Sequence, residues 1–338
     1  MEKYNKNRWE RIQDSNLEYE YIKKHIKLNM NINLNESSLE EFIQNIDKYK
    51  IDQFKLLNEI EEYSYQRLII YNMKDLKRFK IHPIIKNLTT NYKMYFKQQN
   101  RININPKEFY KGDLDSIYKV IYYDDTDTDL FEIRMAAIKN YSYTIRNKNG
   151  NVGNFNKDIF DSIKIVINFK KSLVTILYSD IKESKNKEED ISHRKADFSN
   201  LFFGEVTKGN LQKISISSEL TKYVSEYIAE ELTLSNSKNT NRKLVETIEV
   251  DKIKKDSSGK SITKSSESTY IHSKDTLKGI NDKIKSGSYK VIVLETTIKD
   301  NRIKFKHDGE VILSNTTFQS EVIEDVCTEV LDGYNPFK

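Results

Sequence analysis

At 338 residues, the chain is long for a single core, and its length points to two or three domains. With 37% hydrophobic residues, 32% charged residues and a mean hydropathy of −0.71 it is polar for a globular protein, yet 21 Tyr and 15 Phe keep it out of the disordered class. Three Pro and 10 Gly exclude collagen-like, proline-linker and glycine-repeat designs, and the single cysteine, Cys327, excludes an intrachain disulfide and an all-cysteine metal centre.

A chain with one cysteine fits a reducing compartment, and the cytoplasm is expected. The N-terminus MEKYNKNRWERIQD has no apolar signal core. The longest apolar runs, near Ile163 and Val291, fall short of the roughly 18 residues of a spanning helix. Abundant Lys, Asn, Ile and Tyr point to an AT-rich coding sequence, as in low-GC bacteria and their mobile elements.

The first third reads as helical. Asn16 to Met30 places Leu17, Tyr21, Ile22 and Ile26 on one face, and the following MNINLN ends it. Ser37-Ser38-Leu39-Glu40-Glu41 offers two overlapping capping boxes, so a helix is expected to start there. Phe42, Ile43, Ile46 and Tyr49 continue it, and Phe54, Leu57, Ile60, Leu68 and Ile69 suit a long second helix. Pro83 interrupts the pattern. After it, IIKNLTTNYKMYFKQQNR is strongly amphipathic: Ile84, Ile85, Leu88, Tyr92, Tyr95 and Phe96 share one side, and Lys86, Lys93, Lys97 and Arg101 the other. Met73 to Arg101 holds eight Lys or Arg against Asp75 alone, a net +7, whereas the whole chain carries +5.

From Phe109 the period changes to two. Ile117–Tyr123 and Leu130–Ile138 read as strands around the acidic turn Asp124–Asp129, and Asn147-Lys148-Asn149-Gly150 marks another turn. Asp158 to Ser179 is the clearest hairpin, with Ile163, Ile165 and Ile167 alternating and Leu173, Val174, Ile176 and Leu177 returning. After a charged loop, Lys182 to Lys195, Ser218 caps a second amphipathic helix through Leu232. Ser235 to Arg242 is a polar boundary. Leu244 to Ile253 alternates like a strand, whereas the Ser- and Lys-rich Lys254 to Ser268 reads as a mobile hairpin tip or disordered loop. A helix (Asp275–Ile284), a meander (Tyr289–Thr297, Arg302–Lys306, Glu310–Leu313) and a final helix (Phe318–Leu331) complete the chain. That last helix presents Glu321, Glu324, Asp325 and Glu329 opposite its apolar stripe.

These patterns imply an α+β fold: a helical region at 1–105, a mainly antiparallel sheet with covering helices at 106–235, and an α+β unit at 236–338. No catalytic residue is nominated and no cofactor or metal is expected. Asp125 as the start of a calcium loop would place Leu130 and Ala136 where Gly and Glu are needed. The five histidines lack metal-ligand spacing, and Cys327 sits on an apolar stripe, as inert thiols do. A metal-dependent nuclease built from scattered acids is the enzymatic alternative: Glu183-Ser184-Lys185 with Asp161 upstream has the letters in a polar run, and Glu295 lacks a Lys two residues on. The leading expectation is a non-enzymatic binder of nucleic acid through Lys86, Lys93, Lys97 and Arg101, or of a protein subunit through Glu321, Glu324, Asp325 and Glu329, within a bacterial multiprotein or defence-type system. A structural oligomer joining these two faces is the third reading.

Overall fold

The computed structural model describes residues 2–14, 17–72, 104–146, 152–168, 170, 173–179, 247–255, 257–258, 260–270, 274–298, 301–306 and 310–313. The chain divides into two compact units, one of Met1–Gln66 with Tyr71–Ile214 and one of Arg67–Ile70 with Ser215–Lys338. Helices and a large antiparallel sheet make the fold α+β, and no helix among the described residues is long and apolar enough to cross a membrane. The helices expected after Pro83, after Ser218 and at Phe318–Leu331, the turn at Asn147–Gly150, the loop Lys182–Lys195 and the boundary Ser235–Arg242 lie outside the described residues.

The first unit opens with four helices: α1 (Glu2–Asp14), α2 (Tyr19–Met30), α3 (Leu39–Asn45) and α4 (Gln53–Ile60). Their ends follow local chemistry. Asn31 adopts the left-handed conformation (φ 56°) and its N–H closes α2 on the Lys27 carbonyl. Ser38, of the second candidate box, is the cap: its Oγ accepts from Glu41 N at 3.2 Å, while the Glu41 carboxylate reaches back one residue further than a capping box requires and accepts from Ser37 N at 2.9 Å. Asp52 caps α4 by accepting from Phe54 N and Lys55 N at 3.0 and 3.1 Å. Phe42, fully buried, lies at the centre of the helical core, with the Trp9, Tyr19 and Tyr49 rings at 6.0, 6.1 and 6.2 Å.

Helix α1 has few apolar residues and buries two arginines as well as Trp9 and Ile12. Arg8 donates to Asn58 Oδ1 at 2.8 Å and to Glu61 Oε2 at 2.9 Å, and its guanidinium lies 5.8 Å from the Phe54 and Phe160 ring centres. Arg11 donates to Ser179 Oγ. Both arginines tie the helix to distant segments of its own unit, and neither shows in an apolar periodicity.

The sheet of this unit runs β2 (Lys119–Asp124), β3 (Leu130–Arg146), β4 (Val152–Asn168), β5 (Leu173–Ser179) in that order, each antiparallel to the next. The hairpin expected at Asp158–Ser179 is present, with Ile163, Ile165 and Ile167 opposite Tyr178, Ile176 and Val174. These six side chains are buried, because residues paired across the ladder share a face. The opposite face carries Ala136, Phe160 and Ile121, which pack with Phe54, Tyr110 and Leu114. Ile117 stands outside β2 and is exposed, and β3 extends well past Ile138. The outer edge of β2 does not lie bare: Lys107 N and Tyr110 N donate to the Tyr123 and Ile121 carbonyls, each at 2.8 Å.

One sequence expectation is corrected, and another is decided between its two alternatives. Leu68 and Ile69 belong to a strand, β1 (Tyr65–Asn72), rather than to a long helix. The helical path ends in the 3₁₀ turn Glu61–Ser64, where Ser64 Oγ donates to the Glu61 carbonyl at 2.7 Å, and the β-branched and aromatic run after it suits a ladder. Of the two readings of Lys254 to Ser268, a hairpin tip or a disordered loop, the hairpin is the one formed: β6 (Thr247–Lys255) and β7 (Ser261–Tyr270) pair from Thr247↔Tyr270 to Lys255↔Ser261. Backbone pairing orders Ser- and Lys-rich strands that have little apolar area of their own.

In the second unit the sheet order is β10 (Glu310–Leu313), β9 (Asn301–Lys306), β8 (Tyr289–Ile298), β6, β7, with Arg67–Ile69 of β1 pairing to β10. The meander matches the sequence reading almost residue for residue. Helix α5 (Lys274–Lys285) precedes it and buries Ile280. Gly287 (φ 73°) takes the left-handed position after α5, its N–H bonding the Ile284 carbonyl at 2.9 Å, while Ser288 N bonds the Lys283 carbonyl at 2.9 Å.

Candidate functional site

Neither nominated charge cluster falls within the described residues: Lys86, Lys93, Lys97 and Arg101 lie in 73–103, and Glu321, Glu324, Asp325 and Glu329 in 314–338. The anchors of the basic stretch are described. It follows Asn72 at the end of β1, and the chain beyond it is held from Ile104 onward along the edge of β2. Tyr123 Oη donates to the Ile104 carbonyl at 3.5 Å. Asn105 Nδ2 donates to Glu108 Oε2 at 3.0 Å, and Lys107 sits at φ 63°. Phe109 then stacks on Tyr122 with centroids 4.5 Å apart and meets Phe54 edge-on.

Beneath this aromatic pair lies a four-charge cluster drawn from three separate segments. Arg134 Nε bonds Glu132 Oε1 at 2.8 Å, and the Arg134 guanidinium also pairs with Glu62. Lys164 Nζ lies 2.8 Å from Glu62 Oε2 and 3.1 Å from Glu132 Oε2. The guanidinium faces the Phe109 and Tyr122 rings at 5.6 and 4.9 Å. Burial alone would raise the Glu62 pKa, but Arg134 and then Lys164 outweigh it and hold the carboxyl below its ordinary 4.5. Burial would likewise lower the Arg134 pKa, and Glu62 and Glu132 reverse that. Two anions and two cations cancel, so the cluster locks β3 and β4 to the turn after α4.

This has a pH consequence. Because the folded pKa of Glu62 lies below its unfolded value, its contribution to stability is complete above about pH 4.5 and is lost as pH falls through the folded pKa. The stability gap between wild type and Glu62→Gln should therefore be constant near neutrality and narrow in acid, as read from urea midpoints at stepped pH. A gap that widens in acid overturns the assignment.

Other chemistry-bearing residues are also committed to structural contacts. His25 bridges α2 and α4: Nε2 lies 2.9 Å from Glu59 Oε2, and Nδ1 lies 3.0 Å from Asn29 Nδ2 and 3.3 Å from Tyr63 Oη. Asp161, buried on β4, accepts from Tyr118 Oη at 2.8 Å and Tyr141 Oη at 3.2 Å. Glu295 has no lysine two residues on, yet the register sets Lys304 opposite it and Lys304 Nζ lies 3.6 Å away. This ion pair comes from cross-strand pairing, which no sequence spacing could announce. Glu310 is held by Arg67 at 2.9 Å and by Lys306 at 3.1 Å. The acidic run after β2 folds as two side-chain-closed turns, with Thr126 N on Asp124 Oδ1 at 3.0 Å and Asp129 N on Asp127 Oδ1 at 2.7 Å. Among the described residues no group of three His, Cys, Asp or Glu side chains is placed to hold a metal ion. Glu183, Lys185 and Cys327 lie outside them.

No protein-family model matches this sequence, and no curated protein matches it.

Proposed function

We propose that the chain is a cytoplasmic nucleic-acid-binding protein whose main binding surface is the basic stretch around Lys86, Lys93, Lys97 and Arg101. One observation carries this: Met73 to Arg101 concentrates a net +7 in a chain of net +5, and the flanking residues on both sides, Asn72 and Ile104, belong to the first unit. A local concentration of cations attracts a phosphate backbone and releases its counterions, which gives affinity without sequence preference. A pI of 8.8 is modest for a nucleic-acid binder, and it is the local concentration of charge that supports the reading.

The test is to change all four cations to Gln and follow binding by gel shift over a salt series. Affinity should fall by a similar factor for every sequence, and the log–log salt slope should flatten by roughly 0.9 for each phosphate that is no longer neutralised. Unchanged nucleic-acid binding with altered assembly would instead favour docking onto Glu321, Glu324, Asp325 and Glu329, with charge reversal on both sets restoring it. Divalent-metal-dependent cleavage of the same probes would replace both readings with a nuclease.

A further inference from the structure

The arm formed by β6 and β7 extends beyond the sheet that supports it. Strand β6 pairs with β8 from Thr247↔Glu295 to Lys252↔Tyr289, and its last bond toward that side is Ile253 N to the Ser288 carbonyl at 2.8 Å. Pairing with β7 continues further, through Lys254↔Ile262 and Lys255↔Ser261. At about 3.3 Å per residue, the two-stranded tip reaches on the order of 10 Å past its last β8 partner.

The base of the arm is pinned. Lys252 Nζ lies 2.7 Å from Glu267 Oε2, Tyr289 Oη donates to the same carboxylate at 3.2 Å, and Ser266 Oγ donates to Asp251 Oδ1 at 2.8 Å. Its tip is basic. From Lys254 to Lys264 the sequence carries Lys254, Lys255, Lys260 and Lys264 against Asp256 alone, a net +3. Lys254 and Lys260 are exposed, as are Ser257 and Ser258 of the turn, and Ile262 is 49% exposed. Register fixes one more feature: Lys252 pairs with Ser265 but Ile253 with Thr263, so Lys264 is an extra residue, a bulge that sharpens the right-handed twist of the ribbon.

We infer that the tip of the β6–β7 arm is a basic ribbon that enters the major groove of duplex DNA. The inference rests on the nucleic-acid-binding reading above and adds a second binding element in the other unit. Two strands about 4.8 Å apart, of which β7 carries mostly Ser and Thr, make a slim ribbon, and the B-form major groove, roughly 12 Å wide, admits one. The A-form groove of duplex RNA is too narrow for it. Lysines at the tip meet phosphates on the groove walls, and Ile262 supplies an apolar surface suited to thymine methyl groups.

The experiment uses the full chain and fluorescently labelled DNA and RNA duplexes of one sequence, with anisotropy followed over a salt series. The Lys254→Gln/Lys255→Gln/Lys260→Gln variant should weaken DNA binding and flatten its salt slope by up to about 2.7, or three phosphates at roughly 0.9 each. A second variant, Ser257→Glu/Ser258→Glu, leaves the strands untouched and should weaken DNA binding as well. Both should act on the DNA duplex more than on the RNA duplex or on anionic vesicles. Wild-type DNA affinity in both tip variants, while Lys86/Lys93/Lys97/Arg101→Gln still loses binding, overturns the ribbon and leaves the proposed function standing. Equal losses on RNA or vesicles overturn the groove assignment. A wild-type chain that binds no nucleic acid overturns both.

Discussion

Replacing Arg134 with Met is expected to lower the unfolding free energy by about 3–5 kcal/mol, the cost typical of breaking a buried ion pair from one side. The Arg134 side chain is 9% exposed, and its guanidinium serves Glu62, Glu132, the Asn58 carbonyl and the Phe109–Tyr122 pair together. Removing it leaves two carboxylates facing Lys164 alone. The single tryptophan makes this measurable within one unit, because Trp9 is buried in the helical core of the same unit as Arg134. Its fluorescence across a urea series should show an earlier midpoint, and the double variant Arg134→Met/Glu62→Met should recover part of the deficit, since one anion is then no longer stranded. An unchanged midpoint for the single variant would mean that the cluster contributes nothing net.

Phe42→Ala should cost about 3–5 kcal/mol, the usual range for deleting a buried phenyl ring with incomplete collapse around it. Three aromatic rings lean on Phe42, one of them Trp9 at an interplanar angle of 81°. The native-state emission of Trp9 should shift to the red as water or slack enters the site, in addition to the earlier midpoint. Emission and midpoint both matching wild type would show that the helical core closes over the gap, and that Phe42 is not its centre.

Much of the fold is legible in the sequence wherever the deciding interaction is local. The capping serines before α3, the termination of α2 near Asn31, the Ile163–Ile167 alternation and the three strands of the meander depend on residues within a few positions of one another. Side-chain caps and the two-residue pleat period act at that range, so composition and spacing carry them. The proposed binding stretch is legible for a similar reason, since charge can be counted along the chain.

Tertiary structure decided the rest. Helix α1 has the sequence of a polar terminus because its buried groups include Arg8 and Arg11, whose partners Asn58, Glu61 and Ser179 lie far along the chain. Leu68 and Ile69 have helical spacing with the residues before them, and pairing with Val311 and Glu310 made them a strand. Ser261 to Ser268 has too little apolar area to order itself, and its ladder with β6 did so. Glu62, Glu132, Arg134 and Lys164 meet only once β3, β4 and the turn after α4 are in place. By itself the sequence determined where elements start, alternate and stop, and where charge accumulates, because these follow from short-range geometry. Which polar side chains are buried and which strands are neighbours depended on segments distant in sequence, and burial energy and ladder pairing exist only when the partner segment is present.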